Sequence, residues 1–540
     1  MLATVIFLAT FWLLWRGRNF PSKSSLLKNI PGPPSESWLT GCLHELLSHD
    51  GWAFHKMLAQ TYGSVARIKG LFGVDMLYVH DPKLLHHILV KDLNVFEEQD
   101  LFIEGNRMFF GEGILTSLGE RHRLHRKMLG PVFAPSNLRA LTGVFYGTGH
   151  KVKMSFLQLV ENGPKEIDVV GWNTRISLEN IAQGGFECSF DTLEPNSKAH
   201  PFVTAAKMLG TTTTGPWLQI IQAILLPLIA RTGSPRLRRQ ILNALPIPAL
   251  HKVRDIVDTL YQTAVDIYEL KKTVFESDQS GRSANDIITV LLRGNSNAVE
   301  DERLKEKEIV GQICSIMFAA TDTTSGAMSR TLVKLAYHKD IQTLLRAEIR
   351  EARRANHDHD LEYDDLLALP FLDAVVKETL RLHPPLPMLS RIAREDSILP
   401  LSEPLRGMDG TLIGEIPIQK GTEIYMDIIG SNTDPEMWGP DSYEWRPQRW
   451  LQGLPSSLTN AKVPGVYSHT MTFLGGGRSC IGFKFAELEM KVALSLLIEN
   501  LEFSPADRNI KWIMSTISTP NVEGSPDQSP KLPLIVSKCT

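Results

Sequence analysis

A single cysteine in a glycine-rich stretch is the residue of this sequence best placed to do chemistry. Residues 473–482 read FLGGGRSCIG, and Cys480 lies just ahead of a segment, 484–500, whose apolar spacing is helical. The positive end and free N–H groups of such a helix stabilise a thiolate, the form of cysteine that binds metals. The run of glycines lets the backbone turn tightly and approach a flat ligand closely. A phosphate-binding loop is the alternative, but the Lys-Ser/Thr pair of that motif is missing.

The same stretch resembles the signature of a known family. The pattern Phe-x-x-Gly-x-Arg-x-Cys-x-Gly is similar to the haem-binding signature of the cytochrome P-450 family through Phe473, Gly476, Arg478, Cys480 and Gly482. The resemblance implies that Cys480 is the axial ligand of the iron of haem b (iron protoporphyrin IX), and that Arg478 pairs with a haem propionate. A thiolate ligand pushes electron density onto the iron and favours O–O cleavage.

Polar residues also interrupt a long apolar segment. Residues 301–340 have a charged start and are then apolar on nearly all sides, which predicts a core helix, yet residues 319–324 read AATDTT. In one interpretation the threonines bond back to the preceding turn. The resemblance implies instead that this helix crosses the oxygen side of the haem, where Thr323 orders a hydrogen-bond network and Asp322 relays protons. Ala320 stands where the family usually has glycine.

Further arginines resemble the family's propionate ligands. Residues 119–126, GERHRLHR, are similar to a Trp-x-x-x-Arg helix with His122 in the Trp position, which implies that Arg126 binds a propionate. His122 would still donate a ring N–H; an ordinary solvated histidine is the alternative. Arg391, after Pro384 and Pro385, is similar to another propionate-binding arginine.

A carboxylate and two arginines resemble the family's structural cluster. Glu378 and Arg381 stand at i and i+3 on a predicted helix, which alone is a common surface pair. With the Pro-x-Arg-aromatic element at 447–450, the resemblance implies a buried cluster of Glu378, Arg381 and Arg449 that holds the scaffold of the cysteine loop.

The composition is that of a globular protein and excludes several other classes. The 540 residues are 43% hydrophobic and 22% charged, and the formal net charge of -3 gives no indication of a nucleic-acid partner. The five cysteines are odd in number and widely spaced, so they predict neither a disulfide framework nor a zinc site.

The N-terminus predicts a membrane anchor. Residues 1–15 are apolar and uncharged, and Arg16 and Arg18 follow them. This pattern predicts a single transmembrane helix over residues 1–20 with the catalytic domain in the cytoplasm, on the endoplasmic reticulum. A cleaved signal peptide is the alternative, but no basic residue precedes the apolar run and no small-x-small site follows it. Residues 21–34 form a basic, proline-rich hinge, and 35–540 a single haem-thiolate monooxygenase domain.

The order of the motifs is most similar to that of fungal microsomal family members. The resemblance implies the cytochrome P-450 fold, mainly α with a small β-rich lobe. The implied function is insertion of one atom of O₂ into a substrate. Electrons would come from NADPH-cytochrome P-450 reductase, a separate flavoprotein, because this chain has no flavin or nicotinamide fingerprint. The alternatives are a haem-thiolate isomerase or dehydratase that does not use O₂, and a haem-binding sensor or carrier.

Two apolar stretches predict a lipophilic small-molecule substrate. Residues 215–230 fall where the family has its substrate-access loop, although a plain core helix is the alternative. Residues 101–110 are aromatic and carry few groups that could bind a charged substrate. If the first stretch dips into the lipid bilayer, the substrate enters from lipid. We therefore expect a terpenoid of secondary metabolism, with a fatty acid or a xenobiotic as the alternative.

Overall fold

The long apolar segment forms the central helix, α12, of the structure. The computed structural model describes residues 26–213, 222, 226, 229, 233–277, 286–525 and 529–539. In those ranges the helices, in chain order, are α1 Leu43–Leu46, α2 Trp52–Tyr62, α3 Pro82–His86, α4 Asp100–Phe110, α5 Gly119–Leu129, α6 Pro135–Leu159, α7 Val169–Phe186, α8 Pro201–Thr213, α9 Pro235–Ala244, α10 Pro248–Ser277, α11 Ile287–Asn297, α12 Glu306–Tyr337, α13 Lys339–Ala355, α14 Tyr363–Leu367, α15 Pro370–Leu382, α16 Ile428–Thr433, α17 Pro435–Trp438, α18 Ser456–Ala461 and α19 Phe483–Asn500.

The central helix is buried because it is apolar on almost every face. It packs against α7, α10, α15 and α19, and the largest apolar core of the protein surrounds these helices. Leu332 of α12 and Leu488 of α19 are fully buried there, and each such side chain contributes about 1.5–3 kcal/mol. The predicted helix that carries Glu378 and Arg381 is confirmed as α15, and the predicted helix at 484–500 is confirmed as α19. Helix α15 begins at a proline and ends before His383-Pro384-Pro385, since a residue that precedes proline disfavours helix.

The strands form small sheets beside the helices. They are β1 Val65–Lys69, β2 Asp75–Val79, β3 Phe96–Glu97, β4 Lys165–Asp168, β5 Met388–Ala393, β6 Ser397–Arg406, β7 Leu412–Ile418, β8 Glu423–Asp427, β9 Gly465–Tyr467, β10 Thr470–Gly475, β11 Leu501–Pro505, β12 Ile510–Ile513, β13 Thr519–Val522 and β14 Pro533–Lys538. The largest sheet has the order β1-β2-β8-β5-β3 and covers a second apolar core. In this sheet β2 and β8 pair in parallel, and the pairs β1–β2, β8–β5 and β5–β3 are antiparallel. The expected mainly helical fold with a small β-rich part is confirmed.

The predicted anchor, residues 1–20, lies outside the described residues, as does most of the apolar stretch 215–230. Within the ranges given above, no helix has the length and apolarity needed to cross a membrane. The proline-rich end of the predicted hinge lies against β1: the N–H of Arg67 donates to the carbonyl of Pro31 at 2.9 Å, and Ile30 is buried. This part of the hinge is therefore packed on the folded body.

Candidate active site

The cysteine loop connects strand β10 to helix α19. A single 3-10 turn, Gly476–Arg478, follows β10, and the N–H of Cys480 donates to the carbonyl of Phe473 at 2.8 Å. Cys480 is exposed, although enough protein lies near its thiol for burial to raise the pKa of that thiol. The thiol is therefore presented to a ligand inside the protein instead of being packed in the core.

The glycines of the loop meet protein backbone. Gly476 has φ +66°, and a Cβ there would lie 1.8 Å from the carbonyl oxygen of Leu89. A Cβ on Gly475 would lie 2.0 Å from the carbonyl oxygen of Pro464. The predicted tight turn is confirmed, and at these two positions the approach of the chain to itself leaves no room for a Cβ.

Burial controls the protonation of Cys480 in the protein chain. It raises the pKa of the thiol above its ordinary value, although the N–H of Gly482 and the charge of Arg126 act in the opposite direction. Gly482 is the N-cap of helix α19, so the N–H that lowers the thiol pKa belongs to the helix end, but burial has the larger effect. A coordinating metal ion would reverse this balance, because it deprotonates the thiol that binds it.

Helix α5 directs two pairs of side chains in different directions. Arg121 and His125 face the central helix, where Glu308 accepts a hydrogen bond from Arg121 Nε at 2.8 Å and lies 3.4 Å from His125 Nε2. His122 and Arg126, each one position further along, are also i and i+4 and share the next face. The contacts of the first pair therefore fix the orientation of the second.

The second pair reaches the cysteine loop. Arg126 Nη1 donates to the carbonyl of Ser479 at 2.6 Å, and Nη2 donates to the Ser479 hydroxyl at 2.9 Å. Arg478, in the same loop, donates to Glu97 at 2.8 Å and to the carbonyl of Ser117 at 2.9 Å. Glu97 is a buried acid at the end of β3 that was not predicted.

Arg391 is the third arginine of this group and has donors without partners. It lies on strand β5, is 1% exposed, and donates through Nη1 to Glu98 at 2.8 Å. Its Nε and Nη2 are buried and have no hydrogen-bond partner among the described residues. An unmade hydrogen bond from a buried charged group costs about 1–3 kcal/mol or more, so these nitrogens are suited to an anionic ligand. Glu98, like Glu97, was not predicted.

His122 is a buried, neutral member of the group. Burial, with the charges of Arg478 and Arg126 beside it, lowers its pKa to about 3. The ring is therefore uncharged at neutral pH and makes no hydrogen bond to any residue that the structure describes. The alternative of a solvated histidine is wrong, because the residue is 7% exposed.

These residues fit a haem. Three guanidinium groups (Arg126, Arg391 and Arg478) face two carboxylates (Glu97 and Glu98), which leaves a net positive charge suited to propionates. The free donors of Arg391 and the accessible thiol of Cys480 would complete such a site.

The central helix exposes part of one face near Thr323. Ala319 is exposed and Thr323 is half-buried, whereas Thr321 and Thr324 are buried. The Thr323 hydroxyl donates to the carbonyl of Ala319 at 2.7 Å, as the local interpretation of this segment predicts. Because the hydroxyl is the donor in that bond, its lone pairs can still accept a hydrogen bond from a ligand.

Asp322 is buried and has a partner on another helix. Nζ of Lys207, on α8, lies 2.5 Å from Asp322 Oδ1, and it also donates to the Ser325 hydroxyl at 3.3 Å. Lys207 was not predicted; the signal in the sequence is a lone lysine within the apolar run 205–209. The acid next to Thr323 is thus tied to helix α8.

Glu378, Arg381 and Arg449 form one buried cluster. Arg381 donates twice to the Glu378 carboxylate, at 2.9 and 2.8 Å, and Arg449 Nε donates to it at 3.1 Å. Burial alone would raise the pKa of Glu378, but hydrogen bonds from Arg381 and the charges of both arginines hold it below its ordinary value. Arg381 also donates to the carbonyls of Asn432 and Ser442, so the cluster joins α15 to the segments that precede the cysteine loop.

Comparison with known proteins identifies the family. The cytochrome P-450 family model matches residues 31–525. Cytochrome P-450 monooxygenase 91 from Postia placenta is 41% identical over 100% of this chain and 99% of its own length. Ganoderic acid synthetase from Ganoderma lucidum is 38% identical over 95% of this chain and 94% of its own, and a cytochrome P-450 monooxygenase from Hericium erinaceus is 35% identical over 97% and 95%. The chain belongs to the cytochrome P-450 family, whose members are haem-thiolate proteins, and it is a monooxygenase of that family.

Proposed function

We propose that this monooxygenase holds haem b through Cys480 and inserts one atom of O₂ into a lipophilic small molecule. The observation that carries the proposal is the accessible Cys480 thiol beside three arginines, one of which has unpartnered nitrogens. Haem, when bound, supplies the activation of oxygen. Cys480 Sγ would bind its iron, and Arg126, Arg391 and Arg478 would hold its propionates, with His122 donating a ring N–H.

The protein supplies proton transfer on the central helix. Thr323 Oγ1 would accept a hydrogen bond from an ordered water or from a polar group of a ligand at this face, because its own proton is held by the Ala319 carbonyl. Asp322 would pass protons to that position, and the ion pair with Lys207 would hold the carboxylate in place between transfers.

The substrate pocket would lie between helix α4 and the central helix. The ring centroids of Phe110 and Phe318 lie 4.7 Å apart. Phe318 directly precedes the exposed residue Ala319, so aromatic side chains border the accessible face of the central helix. Leu226, one of the few described residues of the apolar stretch 215–230, would lie 3.7 Å from a Cβ on Gly105 of α4. These contacts favour a substrate held by shape and apolar contact, and the relative named for synthesis of ganoderic acid favours a terpenoid natural product over a fatty acid or a xenobiotic.

Electrons would come from NADPH-cytochrome P-450 reductase at the endoplasmic reticulum membrane. The support for this location is the apolar sequence of residues 1–20. Deleting these residues is expected to release the protein from membranes in alkaline carbonate while its haem spectrum is kept. A mature chain that begins after residue 20 would favour the signal-peptide alternative.

Turnover in a reconstituted system tests the function. The full chain, a reductase, NADPH and a panel of terpenoids, fatty acids and xenobiotics are combined, and products, NADPH and peroxide are measured. We expect a hydroxylated product that requires both NADPH and O₂. In Thr323→Ala we expect haem and substrate binding to persist while NADPH is lost as peroxide. Product formed without NADPH would indicate an isomerase, and an unchanged product yield per NADPH in Thr323→Ala would remove Thr323 from the mechanism.

A further inference from the structure

A buried histidine lies between the two carboxylates that flank helix α16. His80 directly follows strand β2 and is buried. Its Nδ1 lies 3.8 Å from Asp427 Oδ2, and its Nε2 lies 3.6 Å from Asp434 Oδ2. Asp427 is the residue before α16, and Asp434 is the residue after it. One imidazole ring therefore faces both ends of the same short helix.

The two carboxylates each cap a helix through one oxygen and face His80 through the other. Asp427 Oδ1 accepts a hydrogen bond from the N–H of Gly430 at 2.8 Å. Asp434 Oδ1 accepts one from the N–H of Glu436, also at 2.8 Å. Oδ2 of Asp427 and Nδ1 of His80 are buried and have no hydrogen-bond partner among the described residues. A buried carboxylate without a counterion is unfavourable, so Asp427 favours a charged His80.

The other titratable side chains around His80 supply no positive charge of their own. They include Asp81, Tyr78, His55 and Tyr443. The Tyr78 hydroxyl lies 2.5 Å from His55 Nδ1, and His55 Nε2 lies 3.0 Å from the Leu46 carbonyl, so Tyr78 donates to His55 and not to a carboxylate. Burial raises the pKa of Tyr78 and of Tyr443 and lowers that of His55, so all three are uncharged at neutral pH. Among these described groups, His80 is the side chain that can neutralise the carboxylates.

The proton on His80 decides whether both of its contacts are favourable. The imidazolium donates from both ring nitrogens, whereas the neutral ring donates from one and presents a lone pair at the other. A neutral ring would therefore repel one of the two carboxylates. Burial acts to lower the pKa of this ring, but the carboxylates of Asp434, Asp427 and Asp81 raise that pKa above its ordinary value. Both contacts are thus present below about pH 6.5 and are lost as the pH rises through the raised pKa.

Helix α16 holds the strand that leads to the cysteine loop. Asn432 of α16 is fully buried, and its side chain accepts a hydrogen bond from the N–H of Met471 at 2.7 Å and donates to the Thr472 hydroxyl at 2.9 Å. Met471 and Thr472 lie on β10, and the loop with Cys480 follows that strand directly. Asn432 also donates to the carbonyl of Arg381 at 3.0 Å. A displacement of α16 would therefore move β10 and the loop with it.

We propose that His80 is a positioning residue: its imidazolium, held between Asp427 and Asp434, fixes helix α16 and so keeps strand β10 and the cysteine loop in the geometry that binds haem. This role rests on the proposed ligation of haem by Cys480. Loss of the proton from His80 would loosen the loop although no residue that touches the haem has changed.

The stability of haem ligation at two pH values tests this role in the haem-loaded full chain. The measurement is the rate at which the red-shifted carbon monoxide band is lost in mild urea, expressed as the ratio of His80→Gln to wild type. This ratio removes the effect of groups that titrate in both proteins. At about pH 6 the variant should lose the band at least about tenfold faster, because Asp427 has lost its counterion. At about pH 9, where the wild-type ring is neutral, the ratio should approach one.

A second histidine–aspartate pair provides the control. His150, which lies 2.8 Å from Asp360, is half-buried, and the ratio of His150→Gln to wild type should stay near one at both pH values. A ratio for His80→Gln that is raised equally at both pH values would assign His80 a purely structural role and overturn the proposal.

Asp434→Asn decides the question if His80→Gln does not retain haem. Asparagine can still cap α17, but it lacks the charge that raises the pKa of His80. The rate of band loss should therefore begin to rise about one pH unit lower than in wild type. An unshifted pH profile in Asp434→Asn would overturn the role of His80.

Hydrogen exchange separates this role from the proposed function. The backbone N–H groups of residues 470–475 are followed without reference to the haem spectrum, with the intrinsic effect of pH on exchange removed. Their protection should fall with rising pH in wild type and much less in His80→Gln. If that difference appears but wild type shows no red-shifted band at any pH, the haem ligation fails and the positioning of β10 by His80 stands. If the band is present but neither the ratio of rates nor the exchange difference depends on pH, the role of His80 fails and the proposed function stands.

Discussion

Arg391 favours an anionic cofactor because two of its buried nitrogens are free to donate hydrogen bonds. Its Nε and Nη2 lack partners among the described residues, so Arg391→Gln should weaken haem binding by roughly 10-fold to 100-fold, the equivalent of about 1.5–3 kcal/mol. The measurement is the rate and extent of haem transfer to an acceptor protein. Arg394→Gln is the control, because Arg394 is paired with Asp100 and the carbonyl of Glu98. Equal haem loss from the two variants would contradict the role of Arg391.

Residues within one motif could be predicted from the sequence, and residues that complete the site from elsewhere could not. The loop around Cys480 and the cluster of Glu378 with its arginines carry recognisable spacing. Glu97 and Glu98 belong to no recognisable motif. They reach the site because β3 pairs with β5, the strand that carries Arg391. No local pattern indicates that the carbonyls of Pro464 and Leu89 lie against the loop glycines, because these contacts arise only in the folded chain.

The turn between β10 and α19 depends on Gly476. Alanine there would adopt φ +66° at a cost of about 1–2 kcal/mol, and its Cβ would overlap the Leu89 carbonyl. Gly476→Ala should therefore displace the loop and remove most of the thiolate-haem absorption. Gly482→Ala should be tolerated better, because a Cβ there meets Phe133 at an ordinary 3.6 Å. Absorption spectra at equal protein concentration make the comparison, and a normal spectrum of Gly476→Ala would count against this account of the turn.

The contact between α8 and α12 depends on Lys207. Lys207→Met should leave Asp322 without its partner, lower kcat and raise the peroxide formed per NADPH, with little change in KM. The fall in kcat should be smaller than the roughly 10²-fold or greater loss expected for Asp322→Asn, because Lys207 acts through the acid. Lys151→Met, which changes an exposed lysine, is the control. A variant that altered only KM would assign Lys207 to substrate binding instead.

The elements themselves differ in how far the sequence predicts them. Local apolar spacing predicts three helices, α12, α15 and α19, and a proline marks the start of α15. In the parallel pair of β2 and β8, Leu77 lies opposite Ile424. These residues are far apart in the sequence, so no local pattern could predict the pairing.

Glu489 couples the stability of the whole molecule to pH. This residue of α19 is fully buried, and burial raises its pKa to about 8 despite the nearby side chains of Ser177 and Asn180. Between about pH 5 and about pH 8 the unfolded chain has released this proton and the folded chain keeps it, so stability falls as pH rises, by up to about 1.4 kcal/mol per pH unit. Glu489→Gln should remove this contribution and flatten the pH dependence of the free energy of unfolding. Glu351→Gln, which changes an exposed residue, should leave the pH dependence of the free energy of unfolding unchanged. If that free energy depends on pH in the same way in wild type and in Glu489→Gln, the raised pKa of Glu489 is contradicted.

The carbon monoxide spectrum of the reduced protein shows whether Cys480 binds the haem iron, on which the proposed function depends. Wild type should show the red-shifted band of a thiolate-ligated haem, and Cys480→Ser should lose that band together with the activity. Cys188→Ser should keep both, because burial raises the pKa of Cys188 to about 12 and that thiol stays protonated. A red-shifted band that persists in Cys480→Ser would contradict the assignment of the iron ligand.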